Sequence, residues 1–376
     1  MASNRLIYLD NLRVFLTLKV IAFHLAITYG FNMGWYFYDP SDDLLTKRIL
    51  TYFILVNQAF FMSLFFAIAG FFTPMSYDRK GSFTFLKDRF LRLGIPFMLF
   101  ALLVNPIIKY VYHIGTNISF IEFIVDEIIS SPIDFIKRAS PGPMWFLEAL
   151  FIFSLCYVLT RCLIHVQLIP VHKRFPVDKT ILLFVIILSF LTFIIRIFSP
   201  VESQFLFLRL GHFAPYIAYF ICGIIAYKSG WLELLHESQI KKWVWISVVC
   251  ILFFPILLYI GGAFDGQLLL FFGGWRWQSL VYSFWESFVC IGISLWLLST
   301  FRSKYNKSNL LTHFMADHAY AVYFNHAFFT VYISFFFQYI KLPSLLKFFI
   351  VSIIVTTSCF LGAYTIRKIP FLRKLF

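Results

Sequence analysis

The chain has 376 residues, of which 60% are apolar and 13% are charged, and its mean hydropathy is +0.81. These values lie well outside the range of soluble globular domains, so the composition excludes a soluble enzyme and indicates a chain that lives in a lipid bilayer. The formal net charge of +14 favours anionic lipid headgroups or an anionic cytoplasmic ligand over nucleic acid as the partner.

Ten apolar runs set the predicted architecture. A membrane-spanning helix needs about 20 mainly apolar residues, and each run is near that length. We therefore predict an all-α, polytopic membrane protein in which residues 1–376 form a single transmembrane domain, a bundle of about ten helices. The predicted spans are residues 12–31, 50–73, 92–112, 144–163, 180–198, 208–227, 243–260, 277–299, 319–340 and 345–366.

The distribution of basic residues predicts the orientation of these spans. Short cytoplasmic loops of membrane proteins collect Lys and Arg. If the N-terminus is cytoplasmic, the inner segments hold most of the 32 Lys and Arg residues. Both termini are therefore predicted to be cytoplasmic, with residues 74–91 and 228–242 facing inward and residues 31–48 and 113–143 facing outward.

The first predicted helix, "YLDNLRVFLTLKVIAFHLAITYG", carries ionisable groups that are costly in lipid and so suggest a function. Eleven residues separate Arg13 from His24, and eleven steps of about 100° bring them to one helical face, with Asp10 nearly aligned as a structural partner. His24 then lies about 16 Å beyond Arg13, near the bilayer midplane. A long ligand could bridge the two, with an anionic head at Arg13 and a reactive end at His24. Coenzyme A has that form.

A second basic element opens the third span, where "FLKDRFLRLGIPFML" places Arg89 and Arg92 at positions i and i+3 of one helical face. Arginine is the usual side chain for phosphate recognition. Two interpretations stay open. Both arginines could join Arg13 on the phosphates of coenzyme A, or they could extend to the lipid headgroups and enforce the topology.

Cysteine usage and loop composition add little chemistry. The six cysteines lie in or at the ends of apolar runs without a metal-ligand spacing, so we predict small core residues and no metal site. The longest outer loop, residues 113–143, has a middle part that could form a short amphipathic helix on the membrane surface.

Several stretches together resemble a known family. They are "DNLRVFLTLKVIAFH" from residue 10, "FFAIAGFFT" from residue 65, "RFLRLGIPF" from residue 89, "PMWFLEALFIF" from residue 143 and "AYAVYFNHAFF" from residue 319. In this order they are similar to the motifs of the acyltransferase 3 family of integral membrane acyltransferases, with Ala69 where the family has a serine. "GIPF" and "MWFL" look closest to the branch of glucan succinyltransferases of the glucan biosynthesis protein C type.

The resemblance implies an O-acyl transfer reaction. An acetyl- or succinyl-class group would move from cytoplasmic acyl-CoA, a donor co-substrate rather than a permanently bound cofactor, to a hydroxyl of a carbohydrate or glycolipid at or across the membrane. A multi-pass protein of the bacterial cytoplasmic membrane that modifies a polysaccharide of the cell envelope fits this implication.

His24 is the predicted general base, because a neutral imidazole can take the proton of an alcohol near pH 7. It could alternatively accept the acyl group itself, or it could be a structural residue that forms an interhelical hydrogen bond. Its predicted orienting partner is Glu286, a carboxylate in the eighth span. Glu286 could equally form a structural ion pair with Lys19, since buried charges usually pair.

The acceptor side is predicted from polar and aromatic residues in two other spans. Tyr323 and His326 lie one helical turn apart and would face the acceptor or the thioester, or else form interhelical hydrogen bonds. Trp145 and Glu148 begin the fourth span, where an aromatic ring beside an acid suits sugar binding, although tryptophan also anchors helices at the membrane interface.

Two other function classes stay open at this point. A transporter or flippase for an anionic or glycan substrate would line its path with the same intramembrane charges. The sequence shows no internal repeat of the kind that many transporters have. A sensor or scaffold that binds lipid or acyl-CoA without chemistry is the third class.

Overall fold

In a computed structural model, the structure describes residues 6–31, 34–126, 140–163 and 174–376. Within these ranges the regular elements are helices, apart from one isolated bridge between Phe205 and Leu208, and the all-α prediction is confirmed. Omitting short 3-10 turns, the helices are α1 Ile7–Tyr29, α2 Leu44–Lys80, α3 Ser82–His113, α4 Phe120–Ile124, α5 Trp145–Leu163, α6 Asp178–Phe198, α7 Phe213–Ser229, α8 Glu237–Ile260, α9 Trp277–Lys304, α10 Leu310–Phe337, α11 Ser344–Lys368 and α12 Pro370–Leu375.

The lengths and compositions of these helices confirm a multi-pass integral membrane protein. Nine helices of the described ranges are long and apolar enough to cross a bilayer, and they correspond to nine of the ten predicted spans. Of the tenth predicted span, residues 319–340, the helix α10 contains residues 319–337. This helix has 28 residues but is not among the nine. Asn325 and His326 in its middle lower its hydropathy.

The outer loop is described only in part. Phe120–Ile124 forms α4, which begins at a capping box between Ser119 and Glu122. The rest of the predicted surface helix, residues 127–139, lies outside the described residues.

Helix α3 contains two π-helical turns, Phe90–Gly94 and Phe100–Val104, which precede Pro96 and Pro106. Proline has no N–H group, and its ring crowds the carbonyl four residues earlier, so a wider turn relieves the strain. Pro96 leaves the carbonyl of Arg92 without its α-helical donor. The hydroxyl of Tyr320 on α10 donates to that carbonyl instead.

The chain forms two compact units. The first consists of the described residues of Met1–Arg13, Val56–Phe85 and Phe153–Ser308. In this unit α2 and α7 meet backbone to backbone at two glycines. A Cβ atom on Gly70 would lie 2.1 Å from the carbonyl oxygen of Phe220, and one on Gly223 would lie 2.0 Å from that of Ala67. Only glycine permits this contact, which gives a physical reason for the glycine of "FFAIAGFFT".

The core of the first unit lies between α6, α8 and α9. Its centre is a cluster of Ile181, Val185, Ile240, Trp243 and Leu295, all of them buried. The indole of Trp243 also donates to the carboxylate at the start of α6, on Asp178, at 3.0 Å. Apolar packing and this polar contact therefore fix α6 against α8.

The second unit consists of the described residues of Val14–Leu55, Leu86–Ile152 and Asn309–Phe376. Its α10 packs closely on α11. The side chain of Asn325 donates to the carbonyl of Cys359 at 3.0 Å, and a Cβ atom on Gly362 would lie 2.7 Å from the ring of Phe329. In the polar middle of α10, the side-chain amide of Asn325 is thus hydrogen-bonded to α11.

The cysteine prediction is correct only in part. Cys290 and Cys359 are buried core residues, and all six thiols are free. Cys156 and Cys162 are exposed on α5, so the core assignment is wrong for these two. In an apolar span, a cysteine is as compatible with a lipid-facing position as with the core.

Candidate functional site

His24 lies in an aromatic stack within the second unit. Its ring is half-buried, and its centroid is 3.9 Å from that of Trp35 with the two planes 15° apart. The ring of His326 is also stacked on that of His24, with the two centroids 5.1 Å apart and the two planes 26° apart. Two imidazolium ions this close would repel each other, so the arrangement suits at most one positive charge.

The hydrogen bonding of His326 fixes its tautomer. Its Nδ1 atom lies 2.5 Å from the carbonyl oxygen of Tyr323. A carbonyl oxygen only accepts hydrogen bonds, so Nδ1 carries the proton and Nε2 keeps the lone pair. That Nε2 atom is buried and has no hydrogen-bond partner among the described residues.

His24 has an unpaired nitrogen as well. Its Nδ1 atom is buried, and no described residue forms a hydrogen bond with it. Buried polar atoms in proteins are nearly always paired, and leaving one unpaired costs stability. Two adjacent imidazoles that each keep an unpaired nitrogen are therefore the candidate reaction site of the second unit.

The predicted acceptor residues lie in the same unit, where the start of α5 packs on α10. The hydroxyl of Tyr323 donates to the carbonyl of Pro143, and its ring centroid is 6.0 Å from that of Phe146. One carboxylate oxygen of Glu148 is buried without a partner among the described residues. Trp145 makes an edge contact with Phe146 at 6.4 Å.

Of the two arginines of α3, Arg89 directly precedes the first π turn and Arg92 lies within it. Arg92 is exposed and Arg89 is half-buried, and both are close enough to the hydroxyl of Tyr320 to act on it electrostatically. The α-helical rotation of 100° per residue does not hold through a π turn. The spacing of three residues therefore does not place Arg89 and Arg92 on one helical face. Their common neighbour Tyr320 is what associates them in the structure.

Asp10 and Arg13 belong to the first unit. A guanidinium nitrogen of Arg13 lies 3.4 Å from the carboxylate of Asp10, and the Arg13 side chain is 47% exposed. Further along α1, in the second unit, the ammonium group of Lys19 lies over the rings of Phe15 and Phe53, at 5.6 and 5.1 Å from their centroids.

Glu286 belongs to a buried charge cluster in the first unit. Its carboxylate accepts a hydrogen bond from Arg196 at 2.6 Å and lies 3.5 Å from Nδ1 of His212. Arg196 also donates to the carbonyl of Gly211 at 2.9 Å and to the hydroxyl of Ser283 at 3.2 Å. The structure gives this carboxylate two partners of its own unit in place of Lys19.

The sequence analysis did not identify Arg196. The signal was present, because Arg196 lies two residues inside the end of the apolar run 180–198 and a buried carboxylate such as Glu286 needs a cation. Trp35 was missed as well. It follows α1 in a segment without helical periodicity, so no spacing rule could associate it with His24.

The model of the acyltransferase 3 family, described as an acyltransferase domain, matches residues 6–364. The match therefore includes all the candidate residues named above and runs through both units. No curated protein and no solved structure matches the chain.

Proposed function

The chain belongs to the acyltransferase 3 family, and from this membership we propose that this multi-pass membrane acyltransferase uses acyl-CoA to acylate a hydroxyl of a carbohydrate or glycolipid. The acyl group belongs to the acetyl or succinyl class. The observation that carries the proposal is the stacked pair of His24 and His326, in which each ring keeps an unpaired nitrogen. Such a pair can take up and release one proton within the membrane.

The reaction assigned to His24 balances without a cofactor. His24 takes the proton of the acceptor hydroxyl while that oxygen attacks the thioester carbonyl. The new C–O bond forms, the C–S bond breaks, and the departing thiolate of CoA receives the proton from His24. In the covalent alternative, a nitrogen of His24 attacks the thioester, the C–S bond breaks, and CoA leaves as its thiol with the proton of the imidazole. The acceptor hydroxyl then attacks the acyl-imidazole, the C–N bond breaks, and the imidazole recovers a proton from the hydroxyl.

Donor binding is assigned to the basic residues near one end of the second unit. Arg89 and Arg92 are suited to phosphate groups, because a guanidinium forms two parallel hydrogen bonds with them. Their shared neighbour Tyr320 lies on α10, the helix that also carries His326. For Arg13 the assignment to the donor rests on the sequence alone. The proposal takes both termini as cytoplasmic, so that these arginines meet acyl-CoA from the cytoplasm.

Acceptor binding is assigned to Trp145, Glu148, Tyr323 and His326. The start of α5, which carries the first two, contacts α10 at Tyr323, one turn before His326. An aromatic ring and a carboxylate oxygen suit the faces and the hydroxyl groups of a sugar. Glu286 is left out of the chemistry, because its carboxylate is bonded to Arg196 and lies beside His212. A bacterial cytoplasmic membrane is the proposed location.

The test is the release of CoA thiol by the purified protein in lipid nanodiscs. Acetyl-CoA and succinyl-CoA serve as donors, and methyl glucoside and linear glucans serve as acceptors. We expect thiol release that depends on the acceptor and an acylated glycan in the product. Binding or transport of the glycan without thiol release would overturn the proposal in favour of a transporter.

A further inference from the structure

A cavity of about 490 Å³ lies within the first unit. The second halves of α2, α7 and α9, the start of α6 and the segment 231–235 form most of its wall. Its volume is in the range of ligand pockets, about 300–1,000 Å³. The described residues that line it include none of the candidate residues of the acyl transfer reaction.

Small side chains on α7 create this space. Ala218, Cys222 and Ala226 follow each other at intervals of four residues, so they lie along one face of the helix. All three line the cavity. Larger residues at these positions would fill it, so the cavity is a consequence of the α7 sequence.

The surface that faces the cavity is almost wholly apolar. Phe175, Phe184 and Ile291 pack with one side against the core of the first unit and line the cavity with the other. The hydroxyls of the lining residues Tyr219 and Ser294 are themselves buried and contribute almost nothing to this surface. Apolar cavities do not hold water, so the chemistry of the wall suits hydrocarbon.

The cavity is accessible to the chains of the bilayer. Thr180 of α6 and Ile221 of α7 line it and are also exposed, so it opens at the surface of these two helices. It is about three times as large as an engineered cavity of about 150 Å³ that binds benzene, which suits a chain better than a single ring. Filling an apolar cavity stabilises a protein, because the cost of a cavity grows with its volume.

Basic residues lie at the same end of the first unit. Arg174 and Lys179 directly precede lining residues at the start of α6, and both are exposed. Arg302 donates to two carbonyls of the segment 231–235, which contains one acid. Asp178, beside Lys179, is already paired with a lysine of α8 at 2.8 Å. An anionic headgroup therefore complements the charge next to the cavity.

We propose that the cavity binds one acyl chain of an anionic phospholipid, whose phosphate group lies at Arg174, Lys179 and Arg302. The inference goes beyond acyl transfer and does not depend on it. In the orientation proposed above, the lipid belongs to the cytoplasmic leaflet, where anionic lipids attract basic side chains. Its chain occupies space that the side chains of α7 leave, so it stabilises the packing of α7 with α6 and α9.

The first experiment fills the cavity with Cys222→Phe. Cys156→Phe is the matched control, because Cys156 lies in an apolar helix of the same unit but is exposed and is not a lining residue. Purified proteins are titrated with phosphatidylglycerol in detergent, and native mass spectrometry counts the bound lipid. We expect wild type and Cys156→Phe to bind one molecule. Cys222→Phe should bind it about ten- to hundredfold more weakly, the cost of overpacking a filled space.

Thermal unfolding gives a second readout. Phosphatidylglycerol should raise the Tm of wild type and Cys156→Phe, since a ligand of the folded state stabilises it. It should leave the Tm of Cys222→Phe unchanged, and that of Ala226→Phe, one turn further along α7. Wild-type affinity in either filling variant, or a wild-type protein that binds no phosphatidylglycerol, would overturn the inference.

The headgroup is tested separately with the double variant Arg174→Gln and Lys179→Gln. Its preference for phosphatidylglycerol over phosphatidylcholine should fall about fivefold for each charge removed. Arg79→Gln, at an exposed basic residue of α2, is the control and should keep the preference. Equal affinity of the wild type for the two lipids would exclude an anionic headgroup.

A measurement on the wild-type protein decides the case in which the filling variants do not fold. Phosphatidylglycerol with a diazirine at the end of one acyl chain is photolysed in nanodiscs, and the labelled peptides are mapped. Excess phosphatidylcholine should remove the label from the exposed residues Leu252 and Phe253 of α8 but not from residues 218–226. An equal decrease at both places would leave only bulk lipid. Lipid that copurifies from the native membrane identifies the occupant, and an isoprenoid phosphate or a long-chain acyl-CoA in place of a phospholipid would contradict the proposal.

Discussion

Two buried polar clusters of this protein differ in how completely their groups are paired. In the first unit, Arg196 donates to Glu286, to Ser283 and to the carbonyl of Gly211, and His212 lies beside the same carboxylate. In the second unit, His24 and His326 keep unpaired ring nitrogens, and Thr330 keeps an unpaired hydroxyl, among the described residues. The first cluster contains charges that are compensated, and the second contains groups that are not.

The difference separates structural from functional polarity. A buried charge is tolerated when an opposite charge and hydrogen bonds compensate its desolvation, and removing one member then costs stability. An unpaired buried nitrogen or hydroxyl lowers stability, so a pair of adjacent unpaired groups is a candidate position for a bound substrate that completes them. Single unpaired hydroxyls also occur in the first unit, at Tyr219, Ser279 and Ser294, so the candidate site is distinguished by two adjacent imidazoles that each keep an unpaired nitrogen.

The largest expected effect is on turnover and concerns His24, in the cluster whose polar atoms are unpaired. We expect His24→Gln to lower turnover about 10²- to 10⁴-fold, because an amide keeps the size and hydrogen bonding of the side chain but cannot take a proton from an alcohol near neutral pH. The protein should stay folded and still bind acetyl-CoA. Turnover per folded molecule, measured as CoA thiol release, checks this.

The matched control is His318→Gln, a half-buried histidine of the same unit whose Nδ1 lies 2.7 Å from the carbonyl of Phe314. It should keep nearly wild-type turnover. A His24→Gln protein with normal turnover and a reduced Tm would make His24 a packing residue and remove the distinction between the clusters.

For the paired cluster around Glu286, we expect a substitution to lower stability and not turnover. Arg196→Met leaves the buried carboxylate of Glu286 without its cation, which should cost about 3–5 kcal/mol of folding free energy. The double variant with Glu286→Gln should recover part of it. The measurements are Tm and yield of the purified protein, with turnover reported per folded molecule.

Arg161→Met is the control for this effect. Its ion pair with Asp78 at 3.0 Å is partly exposed, with 22% and 51% of the side chains accessible, so the expected cost is at most about 1 kcal/mol. If Arg196→Met gave a stable protein without activity, the paired cluster would belong to the mechanism and the comparison would fail.

The sequence predicts the helices well, because length and apolar composition determine which segments can cross a bilayer. It also predicts His24 as a candidate, since an ionisable residue in a span is conspicuous. It cannot predict the partner of Glu286, because Arg196 lies 90 residues away along the chain and the pair depends on how the helices pack. Pro96 predicts a disturbed helix, but nothing in the local sequence indicates that Tyr320 supplies the missing donor.

A smaller effect is expected for the arginines of α3. Arg89→Ala and Arg92→Ala should each weaken acetyl-CoA binding about ten- to hundredfold, since one lost charged contact to phosphate costs about 1.5–3 kcal/mol. Arg→Lys should recover only part, because an ammonium group cannot form the paired hydrogen bonds of a guanidinium. Lys87→Ala, an exposed basic residue of the same helix, is the control. Unchanged donor affinity in the double alanine variant would leave both arginines as topology signals.

The smallest expected effect concerns Trp35, whose ring is stacked on that of His24. Trp35 stacks on His24 at 3.9 Å, and an aromatic pair contributes about 0.5–1.5 kcal/mol beyond its buried area. Trp35→Leu removes that preference for one ring orientation, so turnover should fall about two- to tenfold without a change in the KM for acetyl-CoA. Trp35→Phe keeps a stacked ring, so its turnover should fall less. Trp245→Leu, at a tryptophan that is 68% exposed, should leave turnover unchanged.

The charge cluster around Glu286 offers the corresponding experiment, since Arg196 lies over the ring of Tyr282 at 4.8 Å from its centroid. Tyr282→Leu should lower the Tm and leave turnover per folded molecule unchanged. If the two substitutions exchanged these outcomes, the stacking at His24 would be structural and the unpaired nitrogens beside it would no longer indicate the reaction site.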